Sequence, residues 1–322
     1  MAETYFTLNT GAQIPALGLG TWQSDQGQVA TAVEHALKVG YRHIDAAFVY
    51  GNENEVGEGL KRAFDAGVCR REDVFVTSKL WCTYHRKPEE CLDEGLKRLG
   101  LDYVDLYLMH WPVPMNPNGN HPLLPKKEDG SRDLDIDTWS HIKTWKELEK
   151  LAKTGKTKAI GVSNYSVKFL EELLPHCETI PAANQIENHP YLPQQEIADL
   201  CEKKGIRVEA YSPLGSTGSP LFKEEGVQEV AKKHNVGPGT VLISYQGVSL
   251  DPPRPRPCML TSRSQQRPRR AAKVRDEFSY RREPQDYQAR LLRHGGPGGY
   301  TQSERCHALR LSCFWRQSHL PI

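Results

Sequence analysis

The sequence predicts an α/β fold of the (β/α)8, or TIM-barrel, type over residues 1 to 246, and three observations carry that reading. Apolar or β-branched runs alternate with amphipathic helical stretches, as in a parallel sheet with covering helices. The repeat spacing is about 25 to 30 residues, which suits a barrel better than a doubly wound sheet. The glycine fingerprint of a dinucleotide-binding doubly wound sheet is absent: "GLGTW" (18–22) is glycine-rich, but no helix opens there and no acidic residue follows at the right distance.

Each strand is expected from a run of its own: "RHIDAA" (42–47), "VFVTSKL" (74–80), "VDLYLMHW" (104–111), "TKAIGVSN" (157–164), "ANQIENH" (183–189) and "IRVEAYSPL" (206–214). Between them "ENEVGEGLKRAFDAG", "PEECLDEGLKRLG", "TWSHIKTWKELEKLAKTG", "SVKFLEELLPH" and "PQQEIADLCEKKG" are amphipathic at a 3.6-residue period. Glycine after a basic last turn ends helices of this kind. The segment "PVPMNPNGNHPLLPKKEDGSRDLDID" (112–137) interrupts the repeat and is expected to loop over the barrel mouth.

The alternation stops after Gln246. Residues 1–246 hold 27 Lys+Arg against 34 Asp+Glu, net −7, whereas residues 247–322 hold 15 against 6, net +9. Lysine outnumbers arginine 19 to 8 before the boundary, and the remainder has 14 arginines and Lys273 alone. Five prolines between 252 and 268 and no alternating apolar run argue against a strand there. The expectation is therefore a barrel lacking its eighth strand, 1–246, followed by an irregular or disordered Arg/Pro-rich tail, 247–322, read as out-of-frame or intron-derived translation.

Composition excludes several classes. The N-terminus has no basic region followed by an apolar one, and no apolar run has the 18 to 20 residues or so that a membrane helix requires. Cys69, Cys82, Cys91, Cys177 and Cys201 are scattered, without zinc-site spacing or the density of a disulfide scaffold. No metal site is expected, and a cytoplasmic monomer is. Clustered guanidinium groups in the tail could attract phosphates, but without aromatic interleaving or a motif a nucleic-acid partner is not the reading preferred.

In a parallel barrel the C-terminal strand ends build the active site. They carry Asp45 with Tyr50 beyond it, Lys79, His110, Ser163 with Asn164, Gln185 with Asn188, and Tyr211 with Ser212. Singly each has a bland alternative: a satisfied core histidine, a helix-capping aspartate, a surface lysine. Jointly they make chemical sense. An ammonium near a phenol favours its ionisation, a carboxylate holds the ammonium, and the result is a general acid for an alkoxide, expected here with a lowered Tyr50 pKa. His110 can donate to a carbonyl oxygen. The hydride for carbonyl reduction must come from a cofactor.

At these residues the chain resembles the aldo-keto reductase family, and within it the aldehyde reductase and glycerol dehydrogenase branch. "GYRHIDAAFVYGNENEVG" (40–57) is similar to the family's first signature, and "VTSKLW", "LYLMHWP", "GKTKAIGVSN", "NQIENHPYLPQQ" and "AYSPLGS" are similar to its later blocks. The resemblance spans about residues 5 to 246. It implies a catalytic tetrad of Asp45, Tyr50, Lys79 and His110 with Tyr50 as proton donor, and NADP(H) as cofactor. It further implies Ser163, Asn164, Gln185 and Tyr211 at the nicotinamide, Ser212, Leu214 and Ser216 along the pyrophosphate, and Trp22, Trp81 and Trp111 as pocket aromatics. The implied substrate is a small carbonyl compound or a polyol. The family's Pro-Lys-Ser-type motif and the following Arg and Glu-Asn pair, which hold the adenosine 2′-phosphate and adenine, have no counterpart after Gln246, leaving a catalytically impaired chain or a noncatalytic cofactor-binding subunit as alternatives.

Overall fold

The computed structural model describes residues 4–24, 27–216 and 218–249. The expectations for 250–322, an irregular tail and no eighth strand, lie outside the described residues. Helix α8, Pro238–Ser249, runs three residues past the boundary drawn at Gln246.

The chain forms two units. The first comprises residues up to 186 together with 196–209. It opens with an antiparallel hairpin of β1, Tyr5–Thr7, and β2, Gln13–Pro15, in which Phe6 pairs with Ile14. A run of parallel strands follows: β3, Leu19–Gly20; β4, His43–Asp45; β5, Phe75–Leu80; β6, Leu106–Met109; β7, Ile160–Ser163; β8, Ala183–Glu187; and β9, Arg207–Tyr211. Their order in the sheet, β3-β4-β5-β6-β7-β8-β9, is their order in the chain, as a singly wound βα repeat requires. Six of the seven strands coincide with the six apolar runs. Strand β3 was not expected: it is two residues long, too short for a periodicity to register.

Helices α1, Val29–Lys38; α2, Glu53–Asp65; α3, Pro88–Leu99; α4, His141–Leu151; α5, Val167–Leu173; and α6, Gln195–Lys203, fall between the strands. Their ends follow local chemistry. The Ser140 and Ser166 side chains cap α4 and α5 by accepting from the N–H groups of Lys143 and Phe169. Helix α3 ends on Gly100 at φ +66°, after Lys97 and Arg98 in its last turn.

The hairpin places Leu8 and Ile14 in one cluster with Phe75, Leu106, Leu108, Ala159, Ala182 and Ala183. Phe75 and Leu106 begin their strands, so the hairpin seals the N-terminal strand ends, and the C-terminal ends are left to carry chemistry. Helix α2 packs closely on its neighbours because it has no side chain at two contacts. A Cβ at Gly57 would lie 2.4 Å from the Leu99 carbonyl oxygen, and one at Gly59 would lie 2.5 Å from that of Ala30. Gly57→Ala is expected to lower the unfolding free energy by about 1 to 3 kcal/mol, the usual cost of overpacking. A denaturant midpoint unchanged from the native chain would show that α2 and α3 separate freely.

The second unit contains 187–195 and, among the described residues, 210–249. It holds α7, Glu225–His234, and α8, with Leu221, Val227 and Leu242 buried together and Leu214, Phe222 and Val241 packed against them.

Candidate active site

Side chains on or just beyond four strands of the first unit gather around the Lys79 ammonium and its carboxylate partner. Asp45 closes β4, Lys79 is the fifth residue of β5, His110 follows β6 and Gln185 lies within β8. Lys79 is 1% exposed; its Nζ donates to Asp45 Oδ1 and, at 3.0 Å, to the Ala46 carbonyl oxygen. The other oxygen of Asp45 accepts from Gln185 Nε2 at 2.8 Å. Tyr50 ends a single 3-10 turn, Phe48–Tyr50, stopped by Gly51 at φ +70°. Its ring centroid lies 5.3 Å from Lys79 Nζ and 5.8 Å from that of His110, the two rings meeting at 79°.

Burial works against the Lys79 charge, but Asp45, Tyr50 and Glu209 outweigh it and the ammonium is held above its ordinary value. A buried cation stays charged only when it is so paired. His110, 8% exposed, is pushed well below the ordinary histidine value by burial and then by Lys79, so its imidazole is neutral at pH 7. A neutral ring keeps one N–H with which to orient a carbonyl oxygen.

Tyr50 departs from the sequence expectation. Lys79 does favour the phenolate, through its charge and a hydrogen bond, but burial is the larger effect and Asp45 adds to it, so the phenol is raised rather than lowered. Desolvation penalises the phenolate more than one already-paired ammonium stabilises it. Tyr50 is thus fully protonated at neutral pH, with the ammonium limiting the rise. That state suits a donor to an alkoxide, a far stronger base than phenolate.

Ser163 and Asn164 follow at the end of β7. Ser163 Oγ donates to the Gln185 carbonyl oxygen at 2.8 Å, and Asn164 Nδ2 donates to that of His110 at 2.9 Å. Asn164 has φ +63°, a conformation asparagine tolerates better than most residues. Trp81 stands edge-on to His110 at 5.4 Å and is tied through Nε1 to the Leu123 carbonyl oxygen at 2.6 Å. The 112–137 segment is thereby fastened to the strand end after β5, and Thr83 adds a second tie to Pro122 at 2.9 Å. Trp111 is half-buried beside His110 in sequence, whereas Trp22 is 53% exposed.

Tyr211, Ser212, Leu214 and Ser216 belong to the second unit. Ser212 and Ser216 have φ +50° and +71°, and the Gly215 N–H closes a turn on the Ser212 carbonyl at 2.9 Å.

One group at the site was not expected. Glu209, in β9, accepts from Gln185 Nε2 at 3.1 Å. One polar atom each of His43, Asp45 and Glu209 lies within 4.8 Å of the others. The available signal was a carboxylate inside a strand of a parallel sheet, a kind of strand usually apolar throughout.

A parallel βα repeat with its N-terminal strand ends sealed, and with a phenol, a buried ammonium–carboxylate pair and a neutral imidazole at the opposite ends, defines an acid–base site of the carbonyl-reducing class. The sequence profile of the Aldo/keto reductase family matches residues 16–273. The chain is 59% identical over 245 residues to D-galacturonate reductase of Hypocrea jecorina, across 76% of this chain and 79% of that protein. It is 57% identical over 245 residues to glycerol 2-dehydrogenase (NADP(+)) of Saccharomyces cerevisiae strain S288c, across 74% and 77%. The aldose reductase of Schistosoma japonicum superposes with a TM-score of 0.76 at 34% identity, covering 91% of this chain and 97% of its own. The chain belongs to the aldo/keto reductase family.

Proposed function

We propose that the chain is an NADP(H)-dependent oxidoreductase that reduces aldehydes or small ketones to alcohols, or oxidises a polyol in the reverse direction. The observation that carries this is the buried Lys79–Asp45 pair with the protonated Tyr50 phenol and the neutral His110 imidazole grouped around it. His110 orients the carbonyl oxygen by donating to it, and Tyr50 delivers its proton to that oxygen as the carbonyl pair of electrons moves onto it. Lys79 stabilises the phenolate left behind.

The residues present fit a nicotinamide. Gln185 has its NH2 group committed to two carboxylates, which leaves its side-chain oxygen as an acceptor for a carboxamide. Ser163 and Asn164 add hydroxyl and amide groups beside it. When bound, the cofactor supplies the hydride. Tyr211 is assigned to its ring and Ser212, Leu214 and Ser216 to its pyrophosphate, an assignment supported by family membership. Trp22, Trp81 and Trp111 are assigned to the substrate pocket on the same ground, with Trp81 supported further by its contact with His110.

Relatives named for D-galacturonate and glycerol favour a hydroxylated substrate. The protein is further proposed to act as a cytoplasmic monomer. The cysteines among the described residues are free, as in a reducing compartment. No helix among these residues is long and apolar enough to cross a membrane.

The full chain with NADPH and glyceraldehyde is expected to oxidise the cofactor, followed by its absorbance, and to reduce NADP+ with glycerol. No turnover in either direction would sink the oxidoreductase reading.

A further inference from the structure

We propose that Glu209 is a positioning residue for this reaction, fixing the Gln185 amide with its NH2 group turned inward between two carboxylates and setting, through Lys79, how acidic the Tyr50 phenol is. The proposal rests on the oxidoreductase reading above and adds a residue and a pH dependence to it.

The geometry is an amide shared by two acids. Gln185 Nε2 donates at 2.8 Å to Asp45 Oδ2 and at 3.1 Å to Glu209 Oε2. While both acids are ionised, two acceptors on one side leave no alternative for the amide, because turned over its oxygen would face both carboxylates; with Glu209 protonated, Asp45 alone still calls for the NH2 group on that side. Glu209 thereby helps decide that the group Gln185 offers elsewhere is an acceptor. The second oxygen, Glu209 Oε1, is buried and has no hydrogen-bond partner among the described residues, an unfavourable setting for a carboxylate.

The groups facing Glu209 are Asp45 and His43 on β4, Lys79 on β5 and Gln185 on β8. His43 is buried, its Nε2 is 3.0 Å from Thr77 Oγ1, and burial pulls it down to about 4, so it is neutral at pH 7. The charge of the cluster therefore turns on Lys79, Asp45 and Glu209. Burial, and then the Asp45 carboxylate, push the Glu209 carboxyl up to about 7, against Gln185 and Lys79, which pull it down. Below that pH Glu209 is neutral, and Lys79 answers one carboxylate. Above it Lys79 answers two, and less of its field is left to stabilise the Tyr50 phenolate formed as the proton is transferred. Reduction should slow as Glu209 ionises.

The test compares pH profiles of kcat/KM for aldehyde reduction by the native chain and by Glu209→Gln, which keeps the shape and an acceptor oxygen but cannot ionise. The native rate is expected to fall about threefold to tenfold as pH rises through 7, the effect of about half a pKa unit to one unit on the acid. The variant should lose that step, and Glu209→Asp should restore one. Full turnover with superposable native and Gln profiles would overturn the role of Glu209 while leaving the oxidoreductase reading intact, whereas absence of turnover by the native chain is a failure of that reading. A measurement independent of turnover, and of whether the Gln variant folds, is infrared difference spectroscopy on chain labelled at glutamate carboxyls. A labelled, protonated carboxyl that titrates near neutrality in the native chain and is missing from Glu209→Asp supports the inference; the same band in both overturns it.

Discussion

Tyr50→Phe is expected to lower kcat/KM for aldehyde reduction by about 100-fold or more, the usual consequence of losing a positioned general acid. The substitution removes one oxygen and leaves the ring that meets His110 edge-on at 5.8 Å, so packing changes little. Cofactor affinity, read by fluorescence quenching, should stay near the native value, because Ser163, Asn164 and Gln185 are held by bonds that do not involve the phenol. That split between chemistry and binding is the informative part: a misfolded variant would lose both. Retention of more than about a tenth of the native rate would place the proton donor elsewhere, since a true general acid contributes at least tenfold more than that. His110 could not simply substitute, because an imidazole held neutral by burial and by Lys79 has no acidic proton to spare at pH 7.

How the proposed donor works could be read from the chain only in part. That Asp45, Tyr50, Lys79 and His110 would meet was legible because three of them lie toward the C-terminal ends of apolar runs, and in a parallel repeat such positions share one end of the sheet. The direction of the Tyr50 shift was not legible. It is decided by a competition between the depth at which the phenol is buried and the nearness of one ammonium, and neither magnitude is a property of local sequence. Glu209 was missed for a related reason. Its link to Asp45 runs through Gln185, which is 140 residues from Asp45 in the chain, and β4 and β8 are not neighbours in the strand order, so only the curling of the sheet brings the two acids to one amide.

The fold shows the same division. The strands long enough to display a run of apolar residues were found where expected, and their helices with them. Strand β3 offers only Leu19 and Gly20, and its place is set by pairing with Ile44 and Asp45 rather than by propensity of its own. Its neighbour Gly18 is needed for a different reason: a Cβ there would lie 2.8 Å from His43 Nδ1.

Lys79→Met tests the centre of the site on two independent scales. Activity at pH 7 is expected to fall by about 100-fold or more, as for Tyr50→Phe, but by another route: the phenol remains, and the charge that offsets its burial is gone. Stability should change as well. The lysine is 1% exposed and its removal leaves Asp45, hydrogen-bonded to Gln185, beside Glu209 with no cation between them. Breaking a buried pair from one side typically costs about 3 to 5 kcal/mol. The sign of its pH dependence follows from the same charges. Without Lys79 one of the pulls that lowered the Glu209 carboxyl is gone, so the folded chain holds that proton more tightly than the unfolded chain does, and the contribution of Glu209 to stability is present at low pH and lost as pH rises through its folded-state value. Unfolding by denaturant should therefore show a larger deficit against the native chain at about pH 8 than at about pH 5, on either side of the Glu209 midpoint. Equal deficits at both would mean that solvent reaches the carboxylates, and full activity of Lys79→Met at pH 7 would mean that the phenol needs no neighbouring charge.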